Sequence, residues 1–164
     1  MAEKDKVAGG KLIHAGLFNL KELYVFFRTW LQDQKYDLLE KKYSEKIKAN
    51  GKEVEIQWEV SRKISDYFKF SWNITFFIVG LIKQEVQGMK LDKGEIEIRV
   101  EAFLEKDYES KWQSHPFVKF LRDVYDRYVI KSRIEDYEDR LTEEVDEAIT
   151  QLKTFLSLEV RRGS

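Results

Sequence analysis

The sequence predicts an α+β fold, an antiparallel four-stranded meander sheet with one apolar face covered by an N-terminal helix and long C-terminal helices. Three observations predict it. Three segments alternate apolar and polar residues with a period of two. Helical periodicity appears before the first of them and after the last. Turn-forming residues stand between the alternating segments, and no composition shift splits the chain.

Residues 1–16, MAEKDKVAGGKLIHAG, are polar and glycine-containing, with no apolar core of a signal peptide. They are expected to form a flexible arm ahead of a single α+β domain over residues 17–160. Asn19 then stands three residues before Glu22, an Asx form of the capping box, and Phe18 can staple onto Leu23. The helix is expected to end near Leu31, where the apolar spacing lapses. Leu20, Leu23, Tyr24, Val25, Phe26, Phe27 and Trp30 lie nearly all round it, which predicts burial on most sides.

Residues 38–49 read two ways. Leu39, Tyr43 and Ile47 are spaced by four as in a helix, whereas Asn50-Gly51 between polar-alternating arms is a strong hairpin signal. A two-residue loop would set Lys48 against Glu53, Lys46 against Glu55 and Lys42 against Glu59. Each opposite-charge pair contributes only about 0.2–1 kcal/mol, but all three agree, so the hairpin is preferred. Glu45 and Lys41 would then point inward, as on an edge strand guarded against aggregation.

The next three strands are marked by their alternation. Val54, Ile56, Trp58 and Val60 alternate with Glu53, Glu55, Gln57 and Glu59. Phe68, Phe70, Trp72, Ile74, Phe76 and Ile78 alternate with Lys69, Ser71, Asn73 and Thr75. Ile96, Ile98, Val100, Ala102 and Leu104 alternate with Glu95, Glu97, Arg99 and Glu101. Facing residues must share a face, so even positions must oppose even ones. An odd-length turn around Ser65 satisfies this, and one such register sets Trp58 opposite Trp72. The following turn falls in QGMKLDKG, with Gly88 and Gly94.

The last third is helical. Ser114 or His115 caps a helix with Pro116 in its first turn and a stripe of Phe117, Phe120, Leu121, Val124, Tyr125 and Tyr128. A second stripe runs through Ile134, Tyr137, Leu141, Val145, Ala148, Ile149, Leu152, Phe155 and Leu156, with a bend expected near Lys131-Ser132. Residues 161–164 are expected to fray.

Composition removes several functions. A chain of 164 residues can bury roughly 70% of its unfolded surface. It has no cysteine, so disulfides and thiolate metal sites are excluded, and a cytoplasmic location is expected. With 29 basic and 30 acidic residues the formal charge is -1, which offers no bulk attraction for nucleic acid or acidic lipid. The apolar run from Asp66 to Leu81 is too short and too polar to span a bilayer, and the first helix lacks a basic face, so no membrane contact is expected.

No catalytic constellation accompanies His14 or His115, and no phosphate loop, dinucleotide fingerprint or metal-ligand spacing is present. No enzymatic activity, cofactor or metal is expected. Two features point elsewhere. Phe77, Val79, Leu81 and Phe103 break the polar alternation of the odd face and predict an apolar interface, giving a non-enzymatic interaction or scaffold domain that self-associates or binds another protein. Trp30, Trp58, Trp72 and Phe76 supply an alternative, a pocket for an apolar small molecule or lipid between the sheet and the helices.

Overall fold

The computed structural model describes residues 3–106, 120, 121, 123, 124 and 131–162. Its elements are β1 (Glu3–Phe18), α1 (Leu20–Asp33), β2 (Asp37–Lys48), β3 (Gly51–Lys63), β4 (Phe68–Val86), β5 (Met89–Lys106) and α2 (Lys131–Arg162). The strands form one antiparallel five-stranded sheet in the order β1-β5-β4-β3-β2. The fold is α+β as expected, with five strands in place of four. The cap and stripe expected over residues 114–119 lie outside the described residues, as do Tyr125 and Tyr128. Phe120, Leu121 and Val124 are helical and exposed.

The fifth strand is the segment expected to be a flexible arm. Residues 3–18 pair with β5 from Glu3↔Lys106 to Phe18↔Asp92. Their partner lies 74 to 103 residues downstream, so nothing local announces the pairing. Small residues face inward here because α2 lies close above. A Cβ built on Gly10 would sit 3.2 Å from Cγ1 of Ile149. Leu12 and Phe18 belong to the same buried cluster as β3–β5, α1 and α2, so the packed unit begins well before residue 17. At the other end, α2 continues to Arg162, two residues into the stretch expected to fray.

The even face is the core. Val54, Ile56, Trp58, Val60, Phe68, Phe70, Trp72, Ile74, Phe76, Ile78, Ile96, Ile98, Val100, Ala102 and Leu104 are all buried. Over them, α2 lays Leu141, Val145, Ala148, Leu152 and Leu156, also buried. Full burial of each such aliphatic side chain contributes about 1.5–3 kcal/mol relative to exposure. The two helices meet at Phe26 and Phe155, whose rings stack at 4.6 Å.

Helix α1 starts as its sequence predicts, with Asn19 Oδ1 accepting the Glu22 N–H at 3.0 Å. It ends two residues later than expected in a Schellman turn. Tyr36 N–H donates to Leu31 O and Lys35 N–H to Gln32 O, with Lys35 at φ 70. The expectation of burial on most sides fails. Only Leu23, Phe27 and Leu31 are buried, and Val25 is 52% exposed, because α1 lays a single face on the sheet.

Residues 37–48 are a strand, as the hairpin reading required, but both hairpin registers slide by two. The loop is Ala49-Asn50, and Lys46 faces Glu53. Trp58 faces Ile74, not Trp72. A shift of two preserves facing parity, so the core is unchanged: Lys42 bonds Glu55 at 2.6 Å in place of Glu59, while Lys48 still reaches its expected Glu53, now diagonally, at 3.9 Å. A bulge between Glu40 and Lys42 turns Lys41 outward to Glu59, correcting its expected inward aim. Glu45 does share the core side, opposite Val54.

A row of glycines crosses the sheet. Gly16 faces Gly94. Gly80 and Leu81 together oppose Gly94, forming a bulge with Gly80 at φ 63. Gly51 lies against the same bulge, and a Cβ there would come 2.7 Å from Gly80 C.

A polar network anchors α2 at the other end. Arg62 makes a bidentate pair with Glu144, at 2.9 Å and 3.0 Å, and donates to Gln34 O at 2.6 Å. Tyr36 OH donates to Glu144 at 3.3 Å and accepts from Trp72 Nε1 at 3.2 Å. The Arg62 guanidinium lies 4.5 Å from the Tyr36 ring centre.

Two predictions follow from this frame. Gly51→Ala should destabilise the fold far more than Gly16→Ala in chemical unfolding. Both have positive φ, a strain of about 1–3 kcal/mol, but only Gly51 also drives a methyl into backbone. The second concerns alkaline pH. Burial first, and Glu144 second, push the Tyr36 hydroxyl far above its ordinary value. Tyr36 stays protonated when folded, whereas the unfolded side chain ionises near pH 10. Its contribution is therefore full below about pH 10 and is lost as pH rises further. Melting temperature should fall less steeply above that pH in Tyr36→Phe than in the parent.

Candidate functional site

The glycine row does more than bend the sheet. With one residue added at Gly80-Leu81, β4 reverses its facing. Phe76 and Ile78 point to the core before the bulge, and Lys83, paired with Asp92, does so after it. Leu81 is thereby brought to the helix side, where it packs against the core. Beyond this level the β4–β5 hairpin continues to a tight turn at Gln87 and Gly88, with φ 51 and 81.

Between that reversed segment and the first turns of α1 lies a cleft of about 620 Å³. Its apolar surface comes from Leu20 and Tyr24 of α1, Ile56 of β3, and Leu81 of β4. Tyr43 and Glu45 close the β2 side, and Lys21, Lys52, Ile82, Lys83 and Asp92 complete the lining. The volume falls within the range of small-molecule sites, about 300–1,000 Å³.

The polar groups around it are held in place. Asp92 is 4% exposed, yet both its oxygens are engaged. Oδ2 accepts the Leu20 N–H at 2.8 Å, and Oδ1 meets Lys83 Nζ at 2.7 Å. Asp92 thus docks the start of α1 onto β5 and fixes the width of the cleft. Tyr24 OH donates to Glu40 at 2.8 Å, and Trp58 Nε1 donates to the same oxygen at 3.3 Å. Tyr43 OH donates to Glu45 at 3.1 Å. Burial, followed by the adjacent carboxylate, raises the pKa of each of these two tyrosines above its ordinary value. Both hydroxyls therefore act as donors, not as bases.

The residues singled out in the sequence are placed differently. Trp30, Trp58, Trp72 and Phe76 do not line this cleft. Trp58, Trp72 and Phe76 are buried, and the four pack in edge and tilted contacts, such as Trp58–Phe76 at 4.8 Å and Trp30–Trp72 at 6.5 Å. They belong to the buried core or pack against it, with Phe27 of α1 meeting Trp58 and Phe76.

Nor do Phe77, Val79, Leu81 and Phe103 form one patch. Phe77, 37% exposed, stays on the odd face between Glu55 and Glu97, with Val79 beyond it. Leu81 is turned to the other side. Phe103 faces Ser71, six residues along β4 from Phe77, a separation of roughly 20 Å. It lies under Lys4, whose Nζ is 4.5 Å from the ring centre. Around Phe77 the face is charged and paired. Arg99 bonds Glu97 at 2.7 Å and holds its carboxyl below the usual range, as Lys42 does for Glu55.

His14 Nε2 lies 3.1 Å from Leu17 O and the ring edges onto Phe18, a local structural contact. Among the described residues no group of three or more His, Asp or Glu side chains could hold a metal, and no helix is long and apolar enough to cross a membrane. A scan against protein-family models matches none, and a search of the curated proteins returns no match.

The cleft residues carry one sequence mark, the Val-Gly-Leu at 79–81. A glycine within an alternating strand signals a bulge, and a bulge reverses facing for all that follows. Lys21, Lys52 and Asp92 carry no local mark, since they meet only through tertiary packing. Replacing Asp92 with Ala should cost about 1–3 kcal/mol, the expense of an unsatisfied buried amide. Hydrogen exchange of the Leu20 amide should accelerate while that of the Leu23 amide, bonded within α1, changes less.

Proposed function

We propose that this chain is a non-enzymatic binding protein, a carrier or receptor, for a small molecule with an apolar body held in the cleft between α1 and the reversed end of β4. The cleft itself supports this reading: a concave, mainly apolar space with a few fixed polar groups, beside a core whose large aromatic side chains are buried. The absence of nucleophile–base pairs in the sequence accords with binding rather than catalysis. The cysteine-free composition suits a reducing cytosol.

Self-association has less support. It now rests on Phe77 and Val79 alone, among paired charges, since Leu81 and Phe103 lie elsewhere.

The test is displacement of a neutral solvatochromic dye, followed by backbone amide shifts. The dye should brighten on binding and move amides of residues 20–24, 43–45 and 81–83. Leu81→Trp, which fills the cleft from a half-buried position, should abolish the signal with little change in melting temperature. Undiminished dye binding in a folded Leu81→Trp protein would sink the proposal.

A further inference from the structure

Resting on the cleft as the binding site, we infer that its ligand class is a single-tailed carboxylate, with the tail on Leu20, Ile56 and Leu81 and the head between Lys21 and Lys52.

The charges at the cleft are unequal in availability. Five ionisable side chains other than tyrosine line it: Lys21, Lys52, Lys83, Glu45 and Asp92. Asp92 and Lys83 are closed on each other at 2.7 Å, and Asp92 also holds the Leu20 amide. Asp92 is fully engaged, and the charge of Lys83 is already matched by it. Glu45 already accepts the Tyr43 hydroxyl at 3.1 Å. Its ion pair with Lys52 is long, 3.9 Å, with the two side chains 52% and 44% exposed. Such a solvated pair contributes little and is readily exchanged for a better acceptor. Lys21 has no ion-pair or hydrogen-bond partner among the described residues.

The lining therefore carries three cations against two anions, one positive charge in excess. One carboxylate neutralises it. A cationic head would meet Lys21 and Lys52 with no unengaged carboxylate to receive it. A neutral ligand would leave Lys21 without a partner in the mouth of the site. The apolar residues lie on both walls, one helix and two strands, which suits an extended tail more than a compact polar ligand.

Calorimetric titration of the full chain with decanoate, decan-1-ol and decyltrimethylammonium, each below its aggregation limit, decides the matter. Decanoate should bind at least about tenfold more tightly than the alcohol, the scale of one hydrogen bond to a charged group, and the ammonium most weakly. Lys21→Gln/Lys52→Gln should bring decanoate to the affinity of the alcohol and leave the alcohol unchanged. Both lysines are exposed, and circular dichroism should show the parental fold. Glu45→Gln should strengthen decanoate by freeing Lys52. Equal affinity for decanoate and decan-1-ol, or a preference that survives the double substitution, would overturn the carboxylate assignment and leave the cleft as a neutral-ligand site. If none of the three binds and the dye also fails, the cleft reading falls with it.

Discussion

The cleft end of the structure depends on a close approach of backbones along the row of glycines across β1, β5, β4 and β3. Gly16, Gly94, Gly80 and Gly51 sit side by side, and at Gly51 and Gly94 a Cβ would come within about 3 Å of neighbouring backbone. Side chains are excluded there by contact, not merely by backbone angle. The bulge at Gly80-Leu81 follows from the same crowding, with two residues of β4 set against one of β5. On one side of the row the even residues build the aromatic core. On the other, β4 turns its odd residues inward, and the face beneath α1 carries Leu81 and Lys83 in place of more aromatics. The cleft exists because packing stops at that line.

The two ends of the molecule are held by different physics. Near the Arg62 end, a nearly buried ion pair with side chains 13% and 16% exposed joins α2 to β3. Desolvating such a pair costs several kcal/mol per ion, and its attraction is offset unless every donor is used. Here the guanidinium also serves Gln34 O, and Glu144 also accepts from Tyr36, so the network is well satisfied and sets the register of α2 on the sheet. At the cleft end the polar contacts fall into separate groups, one of them Glu40 accepting from Tyr24 and Trp58. One buried carboxylate, Asp92, ties α1 to β5, and the remaining charges stay at the rim in water.

Much of the core was legible from alternation alone. The even residues of β3, β4 and β5 named from spacing are buried, and of the α2 stripe Leu141, Val145, Ala148, Leu152 and Leu156 are buried while Ile134, Tyr137, Ile149 and Phe155 are partly so. Period two leaves register free by steps of two, since such a shift keeps facing residues together. Both hairpins therefore slid without moving one core residue. The Trp30, Trp58, Trp72 and Phe76 group shows the limit of composition. Large aromatics can enclose a space or fill it, and only the approach of α1 and α2 decides which.

The sequence by itself determined the alternation, and with it the fold class, the core face, the cap at Asn19 and the strand nature of residues 37–48 through their charges. These are local properties, written within a few residues of one another. The tertiary structure alone decided that residues 3–18 form an edge strand, that the bulge carries Leu81 to the opposite face from Phe77, and that Lys21, Lys52 and Asp92 share one cleft. Each of these depends on partners tens of residues away, whose meeting is set by the closure of the sheet under its helices and not by any pattern within a segment.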